Sequence, residues 1–185
     1  GLSASGGTDG FGCYGYPTAT LSDGSLVSRT GTLSRRFSQA IAFNNAGQIA
    51  GTYGVPGGNP SHAFLRNEAT ATDLGTLGGD NSRASSINNS RQIVGASDNG
   101  NFNSHATLWN GTASTDLGTL GGSSSEAKAI NNSGQIVGAS DNSKFNSHAT
   151  LWNGDIMTDL GTLGGSSSGA AAINDSGQIV GWSLV

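Results

Sequence analysis

Short apolar stretches alternate with turns of Gly, Asn and Ser along most of this chain. In one clear copy four such stretches lie at 126–130, 135–139, 148–152 and 158–163. Each has the length of a β-strand, and the segments Asn-Asn-Ser-Gly and Trp-Asn-Gly that follow the first and third stretches are typical of hairpin turns. The pattern predicts a unit of four short strands, which we call A to D in chain order.

This unit recurs with a period of about 43 residues. The three histidines, His62, His105 and His148, occupy the same position in successive copies, and residues 80–122 match residues 123–165 closely. Four short strands in about 43 residues are typical of one blade of a β-propeller.

We therefore predict an all-β fold, a four-bladed β-propeller spanning residues 18–185 after an irregular arm at 1–17. The chain begins its repeats with strands C and D and ends them with strands A and B, so these two halves are expected to complete one blade and close the ring. The predicted blades are 18–35 with 166–185, 36–79, 80–122 and 123–165. A β-solenoid is the less favoured alternative, because the unit is long and contains about three reverse-turn signals.

Composition narrows the classes of partner. Only 11% of the residues are charged, the net charge is −4 and the pI is about 5.1, so no surface for nucleic acid is expected. No apolar run reaches the roughly 18 residues of a membrane helix, so no membrane insertion is expected. The first residues lack a charged segment followed by an apolar run, and any secretion signal is expected to lie outside this sequence. The single cysteine, Cys13, cannot form a disulfide within the chain.

The recurring motif resembles a known family. It reads H-A-[FT]-L-[RW], then D-L-G-T-L-G-G, then I-N-x-[SA]-x-Q-I-[VA]-G. Over roughly residues 18–185 this pattern is similar to the HAF repeat, a family of extracellular bacterial repeats. The name-giving triplet is clearest at His62-Ala63-Phe64, and Thr107 and Thr150 replace its Phe in later copies. The resemblance implies secretion or cell-surface placement in a bacterium, and it supplies no catalytic residue or ligand.

The recurring histidines and aspartates are predicted to be structural. If strand C lies two strands from the axis, at about 4.8 Å per strand, equivalent histidines are on the order of 10 Å or more apart and cannot share one metal ion. We expect hydrogen bonds from the imidazoles to neighbouring strands or loops, and from the aspartates to backbone amides or a histidine. The residues are His62, His105, His148, Asp73, Asp116 and Asp159. No catalytic residue, metal ligand or cofactor is predicted, and an ion in the axial channel is left open.

The recurring tryptophans and the apolar residues of strand A are predicted to pack between blades. Trp109 and Trp152 occupy one register and are predicted to be buried between blades. In strand A the small residues Ala127 and Ala129 are predicted to face one neighbour, and Ile130 the other.

The candidate ligand-binding surface lies on the face that carries the B–C and D–A loops. Phe102 and Phe145 recur there in equivalent loops, and the amides and carboxylates around them belong to Asp98, Asn103, Asp141 and Asn146. An aromatic plane among such polar groups suits a sugar ring. Repetition of the same site on successive blades favours multivalent binding.

These features predict an extracellular or cell-surface module for binding or adhesion, with a polysaccharide or matrix polymer as the expected partner. A structural subunit that self-associates into an extracellular assembly is the alternative. An enzyme acting on polysaccharide comes third, because catalysis usually needs one asymmetric site and these groups repeat.

Overall fold

The computed structural model describes residues 20–22, 27–29, 38–55, 60–67 and 70–185, which form strands joined by turns and loops. The prediction of an all-β fold is confirmed. The described part of the chain contains no helix long and apolar enough to cross a membrane. The arm predicted at 1–17, with Cys13, lies outside the described residues.

Within the described residues sixteen strands form five antiparallel sheets in which each strand pairs with its neighbour in the chain. A two-stranded sheet contains β1 (Thr20–Ser22) and β2 (Val27–Arg29). Three four-stranded sheets follow, which we call the first, second and third blades: β3 (Ser38–Phe43), β4 (Ile49–Gly54), β5 (Ser61–Asn67) and β6 (Thr70–Asp73); β7 (Gly78–Ile87), β8 (Gln92–Asn99), β9 (Ser104–Asn110) and β10 (Ala113–Asp116); β11 (Gly121–Ile130), β12 (Ile136–Asn142), β13 (Ser147–Asn153) and β14 (Ile156–Gly161). The last sheet pairs β15 (Ser168–Ile173) with β16 (Ile179–Ser183).

The four strands predicted within residues 123–165 are present in the predicted order. The largest difference is in strand A, since β11 begins at Gly121 and not at residue 126. Gly121 pairs with Asn142 at the end of β12, across an irregularity in the ladder. The Gly-Gly segment therefore belongs to the strand and not to the loop before it.

A ladder of asparagines joins the A–B turns of successive repeats. Asn88 is typical: its Oδ1 accepts hydrogen bonds from the amides of Ser90 and Gln92, each at 3.0 Å. Its Nδ2 donates to Gln92 Oε1 at 2.8 Å and to the carbonyl of Asn131 in the next turn at 3.1 Å. The same donation runs from Asn44 to Asn88 and from Asn131 to Asn174. Each turn is thus closed internally and bonded to the next one.

A serine in strand A fixes each sheet to the one before it. Ser125 Oγ accepts a hydrogen bond from the Ala106 amide at 2.8 Å and donates to the Gly118 carbonyl at 2.6 Å, and both partners lie in the preceding repeat. Ser82 and Ser168 make the equivalent pairs of bonds. Because these bonds join backbone groups of one repeat to a side chain of the next, they set the register between sheets.

The apolar core lies between the sheets, where strand A of one repeat packs against strands A, B and C of the repeat before it. One cluster joins Ala50 and Ala63 of the first blade to residues of the second blade that include Ala84 and Ile87. The prediction that small and large residues of strand A face opposite neighbours is wrong, because a bulge after Ala84 breaks the alternation. Ala84 and Ile87 consequently contact the same cluster.

The first blade and the β15–β16 sheet each leave apolar side chains of one face exposed. Val94 and Val137 are 0% exposed, while the equivalent Val180 on β16 is 63% exposed. Ile87 and Ile130 are each 7% exposed, while the equivalent Phe43 on β3 is 65% exposed. The strands within 18–35 and 166–185 form two separate two-stranded sheets, so the composite blade that would close the ring stays a prediction.

Candidate functional site

Two equivalent loops present phenylalanine side chains to solvent. Phe102 lies between β8 and β9 and is 72% exposed. Phe145 lies between β12 and β13 and is 73% exposed. Both have left-handed backbone conformations, with φ of 59° and 60°. This conformation is costly for a residue with a large side chain, and exposure of the phenyl ring offers no burial in return.

The backbone of each loop is held by the asparagine that begins it. In the first loop Asn99 Oδ1 accepts hydrogen bonds from the amides of Asn101 at 2.9 Å and Asn103 at 3.1 Å. The Phe102 amide donates to the Asn99 carbonyl at 2.9 Å. Asn142 makes the same contacts around Phe145. The two phenyl rings therefore stand on rigid loops of the same shape.

Each recurring histidine lies between an aspartate and this loop framework. His105 Nδ1 lies 2.8 Å from Asp116 Oδ2, and its Nε2 lies 3.4 Å from Asn99 Nδ2. A carboxylate only accepts and an amide nitrogen only donates, so the imidazole is the Nδ1–H tautomer. His148 repeats the arrangement with Asp159 and Asn142. Both ring nitrogens are occupied, and the histidine connects strand D to the phenylalanine loop.

In the first blade a tyrosine also bonds to the aspartate of this arrangement. His62 Nδ1 lies 2.9 Å from Asp73 Oδ2, and the Tyr53 hydroxyl donates to the same oxygen at 2.8 Å. Burial and the hydrogen bond to Asp73 raise the pKa of the Tyr53 phenol to about 12. Burial alone would raise the pKa of Asp73, but hydrogen bonds from His62, the Gly75 amide and Tyr53 outweigh it and lower that pKa. The carboxylate is therefore held ionised as an acceptor.

The two tryptophans of the common register lie buried between sheets. Trp152 is 2% exposed, and its Nε1 donates to the Leu117 carbonyl of the preceding repeat at 2.9 Å. Trp109 is also buried, and its Nε1 has no hydrogen-bond partner among the described residues. Both side chains fill space between repeats.

The turns that follow β3, β7, β11 and β15 line one depression of about 390 Å³. Carbonyls of the turn asparagines accept hydrogen bonds from the preceding turns there. Within the described residues no group of three or more His, Cys, Asp or Glu side chains could hold a metal ion. The ion in an axial channel that the sequence left open is not tested by this arrangement.

Comparison with known proteins identifies the architecture. The chain is similar in structure to TolB from Acinetobacter baumannii, with 17% sequence identity and a TM-score of 0.58. The match covers 86% of this chain and 41% of TolB, so the chain spans about two-fifths of the length of that protein. Together with the four-stranded antiparallel meanders, this likeness shows the fold. The chain has a β-propeller fold. No protein-family model matches the sequence, and no relative is found among curated proteins.

The acidic residues predicted beside the phenylalanines differ between the two blades. Asp98 Oδ2 accepts a hydrogen bond from Asn81 Nδ2 at 2.9 Å. The equivalent Asp141 carboxylate has no partner among the described residues and lines a groove between the second and third blades. Asn103 and Asn146 are half-buried, and their backbone groups hold the loops.

Sequence reasoning missed the strand A residues that line this groove. Arg83 Nε lies 3.2 Å from Glu126 Oε1, and Lys128 Nζ lies 2.6 Å from Glu126 Oε2. Burial alone would raise the pKa of Glu126, but the hydrogen bond from Lys128 and the charge of Arg83 outweigh it and lower that pKa. The signal in the sequence is that these positions differ between repeats that are otherwise nearly identical.

Proposed function

We propose that this chain is an extracellular module for binding or adhesion whose ligand is a polysaccharide or matrix polymer. The observation that carries the proposal is the pair of exposed phenylalanines in left-handed conformations on equivalent loops. The resemblance to the HAF repeat supports placement outside the cell.

The strain at the loop tips favours a functional role for the phenyl rings. A non-glycine residue in the left-handed region costs roughly 1–2 kcal/mol, and glycine would avoid the cost. The two loops also differ in sequence around the ring, with Gly100 and Asn101 in one and Ser143 and Lys144 in the other. A residue that is unfavourable for the fold and gains no burial is best explained by contacts made to a ligand.

The surroundings of each ring suit a carbohydrate. A sugar unit presents apolar C–H groups on one face and hydroxyls around its edge, so it matches a flat ring bordered by amides and carboxylates. Rigid loops reduce the entropy lost on binding. Two equivalent sites on adjacent blades would bind a repeating polymer with higher avidity than either site alone.

The first prediction concerns Phe102→Gly combined with Phe145→Gly. We expect retardation in affinity gel electrophoresis with soluble β-glucan, xylan, galactomannan or dextran to disappear. The free energy of unfolding is expected to rise by about 1 kcal/mol, because glycine relieves the left-handed strain. Both quantities are measured on the same preparations.

The control is Ile156→Gly, which removes another exposed apolar side chain, 68% exposed and paired with Asn153 at the end of β13 opposite the Phe145 loop. It should leave retardation unchanged. A fall in stability of the double phenylalanine variant would assign the rings to packing and would sink the binding proposal. Retention of the wild-type retardation would do the same.

The uncovered end faces favour a second candidate, a structural subunit. Residues 166–185 supply strands A and B, and residues 18–35 supply strands C and D. We propose that these halves form the fourth blade of a closed ring within one chain. The same halves could instead be completed between copies. The exposed apolar side chains of β16, Val180 and Trp182, would then pack against the exposed Phe43 on β3 of the next copy.

A prediction separates closure from assembly. If copies join end to end, light scattering should give a mass above 18.4 kDa that rises with concentration, and Val180→Lys should return it to the monomer mass by placing a charge on the uncovered face. Ile156→Lys, a similarly exposed site on an outer strand, should have no effect. A wild-type mass of 18.4 kDa at every concentration rules out the assembly and favours closure within the chain.

A further inference from the structure

We propose that the groove between the second and third blades binds one hydroxyl-rich sugar unit of the polymer, and that this site exists at that interface and not at the preceding one. This inference rests on the proposed function, since it names where sugar hydroxyls are recognised. It assigns a binding role to Ser104, Ser124 and Asp141, with Arg83 and Glu126 at the border of the groove.

The groove is a polar cavity with unused hydrogen-bonding capacity. Its volume is about 210 Å³, and its polar lining includes Arg83, Ser104, Ser124, Glu126, Asp141 and Ser147. Ser104 Oγ is buried without a hydrogen-bond partner among the described residues. The Asp141 carboxylate is half-buried and likewise has none in the part of the chain that the structure describes. Buried polar atoms without partners are rare, and a ligand that supplies the missing bonds explains them.

The preceding interface shows what fills the same space. There Asn81 stands at the position of Ser124, and its Nδ2 donates to Asp98 Oδ2 at 2.9 Å. Its Oδ1 accepts a hydrogen bond from the Ser61 amide at 3.1 Å. One amide side chain therefore bonds both the Asp98 carboxylate and the backbone amide of the strand C serine, Ser61. With serine at position 124, no amide side chain lies between the Asp141 carboxylate and Ser104.

The chemistry of the groove fits a sugar unit. A carboxylate can accept hydrogen bonds from two adjacent hydroxyls, while serine hydroxyls can donate or accept. The Glu126 carboxylate is already paired with Arg83 and Lys128, which leaves Asp141 as the free anionic acceptor. The volume is below the roughly 300–1,000 Å³ of sites for drug-sized ligands, so it suits one unit with the rest of the polymer outside.

The decisive variant is Ser124→Asn, which places the amide of Asn81 in the second groove. We expect it to fold normally and to bond the Asp141 carboxylate and the Ser104 backbone amide as Asn81 bonds those groups of Asp98 and Ser61. Amide chemical shifts of the ¹⁵N-labelled protein are followed during titration with the methyl glycosides of glucose, galactose, mannose and xylose. In the wild type we expect saturable shifts at Ser104, Ser124 and Asp141 with at least one glycoside. In Ser124→Asn the affinity should fall by about tenfold or more.

The matched variant is Asn81→Ser, which removes the amide from the preceding interface. It should create a second set of saturable shifts at Ser61 and Asp98. Thermal unfolding of both variants shows whether each is folded before binding is compared.

The outcomes distinguish a wrong groove assignment from a wrong proposed function. If Ser124→Asn keeps the wild-type shifts, or no glycoside shifts the groove amides, the groove assignment is wrong. Polysaccharide retardation that persists in Ser124→Asn but is lost on removal of both phenylalanines overturns the groove alone. Loss of retardation in both variants, with both still folded, supports the groove and the proposed function together.

Discussion

Trp152→Ala is expected to lower the free energy of unfolding by about 4 kcal/mol, within the range measured for truncating buried aromatic residues. The indole is 2% exposed and packs in a cluster with Val94 and Ala106 of the preceding blade and Ile130 of its own. Truncation would leave a cavity between two blades and would also remove the bond from Nε1 to the Leu117 carbonyl. Chemical denaturation monitored by far-UV circular dichroism measures the change.

The matched control for this prediction is Trp182→Ala. Trp182 is 55% exposed on the uncovered face of β16, so its truncation removes less buried area and creates no closed cavity. Its effect on unfolding should be well under half that of Trp152→Ala. Equal effects would mean that the face of β16 is covered in solution, and a negligible effect of Trp152→Ala would contradict the interpretation of blade packing.

Gly138→Ala is expected to destabilise the protein by about 3 kcal/mol, at the upper end of the usual cost of overpacking. A Cβ at this position would overlap the carbonyl oxygen of Glu126 on the neighbouring strand, and it would lie 3.0 Å from Ala127 Cα. Neither obstacle is the end of a flexible side chain, so β11 itself would have to move. The same close approach recurs at Gly51, Gly95 and Gly181.

Gly100→Ala provides the comparison, because a Cβ at Gly100 would meet no atom within 4 Å. The substitution should leave the midpoint of urea unfolding unchanged or raise it slightly, since alanine restricts the unfolded chain. Should Gly138→Ala unfold at the wild-type denaturant concentration, the tight approach of strands A and B described for the third blade would be incorrect.

The repeating parts of the fold could be predicted because each rests on a local rule. Four apolar stretches separated by turn residues gave the order of strands A to D, and the period placed them in successive sheets. The Asn-Asn-Ser-Gly segment gave the A–B turn, since an asparagine side chain closes the turn on its own backbone, as Asn131 does. The exposed Phe102 and Phe145 were also recognisable, because their loops repeat.

Other features depend on contacts that sequence position does not reveal. The bulge in strand A breaks the expected alternation because register in a sheet depends on the partner strand. The free carboxylate of Asp141 depends on one residue of the same blade, Ser124, standing where the preceding blade has an asparagine. Phe43 and Val180 are apolar residues at positions that are buried in the second and third blades, and only the arrangement of sheets shows that both are exposed.

The hydrogen bonds of the asparagine ladder all run in one direction along the chain. Asn44, Asn88 and Asn131 each donate toward the turn that follows, so the described ladder has an acceptor carbonyl at Asn44 and a donor amide at Asn174 for any turn that would extend it. Two copies related by a twofold axis would bring donors against donors or acceptors against acceptors. If copies assemble by extending this ladder, their association is therefore heterologous and gives closed cyclic oligomers or open fibres rather than an isologous dimer.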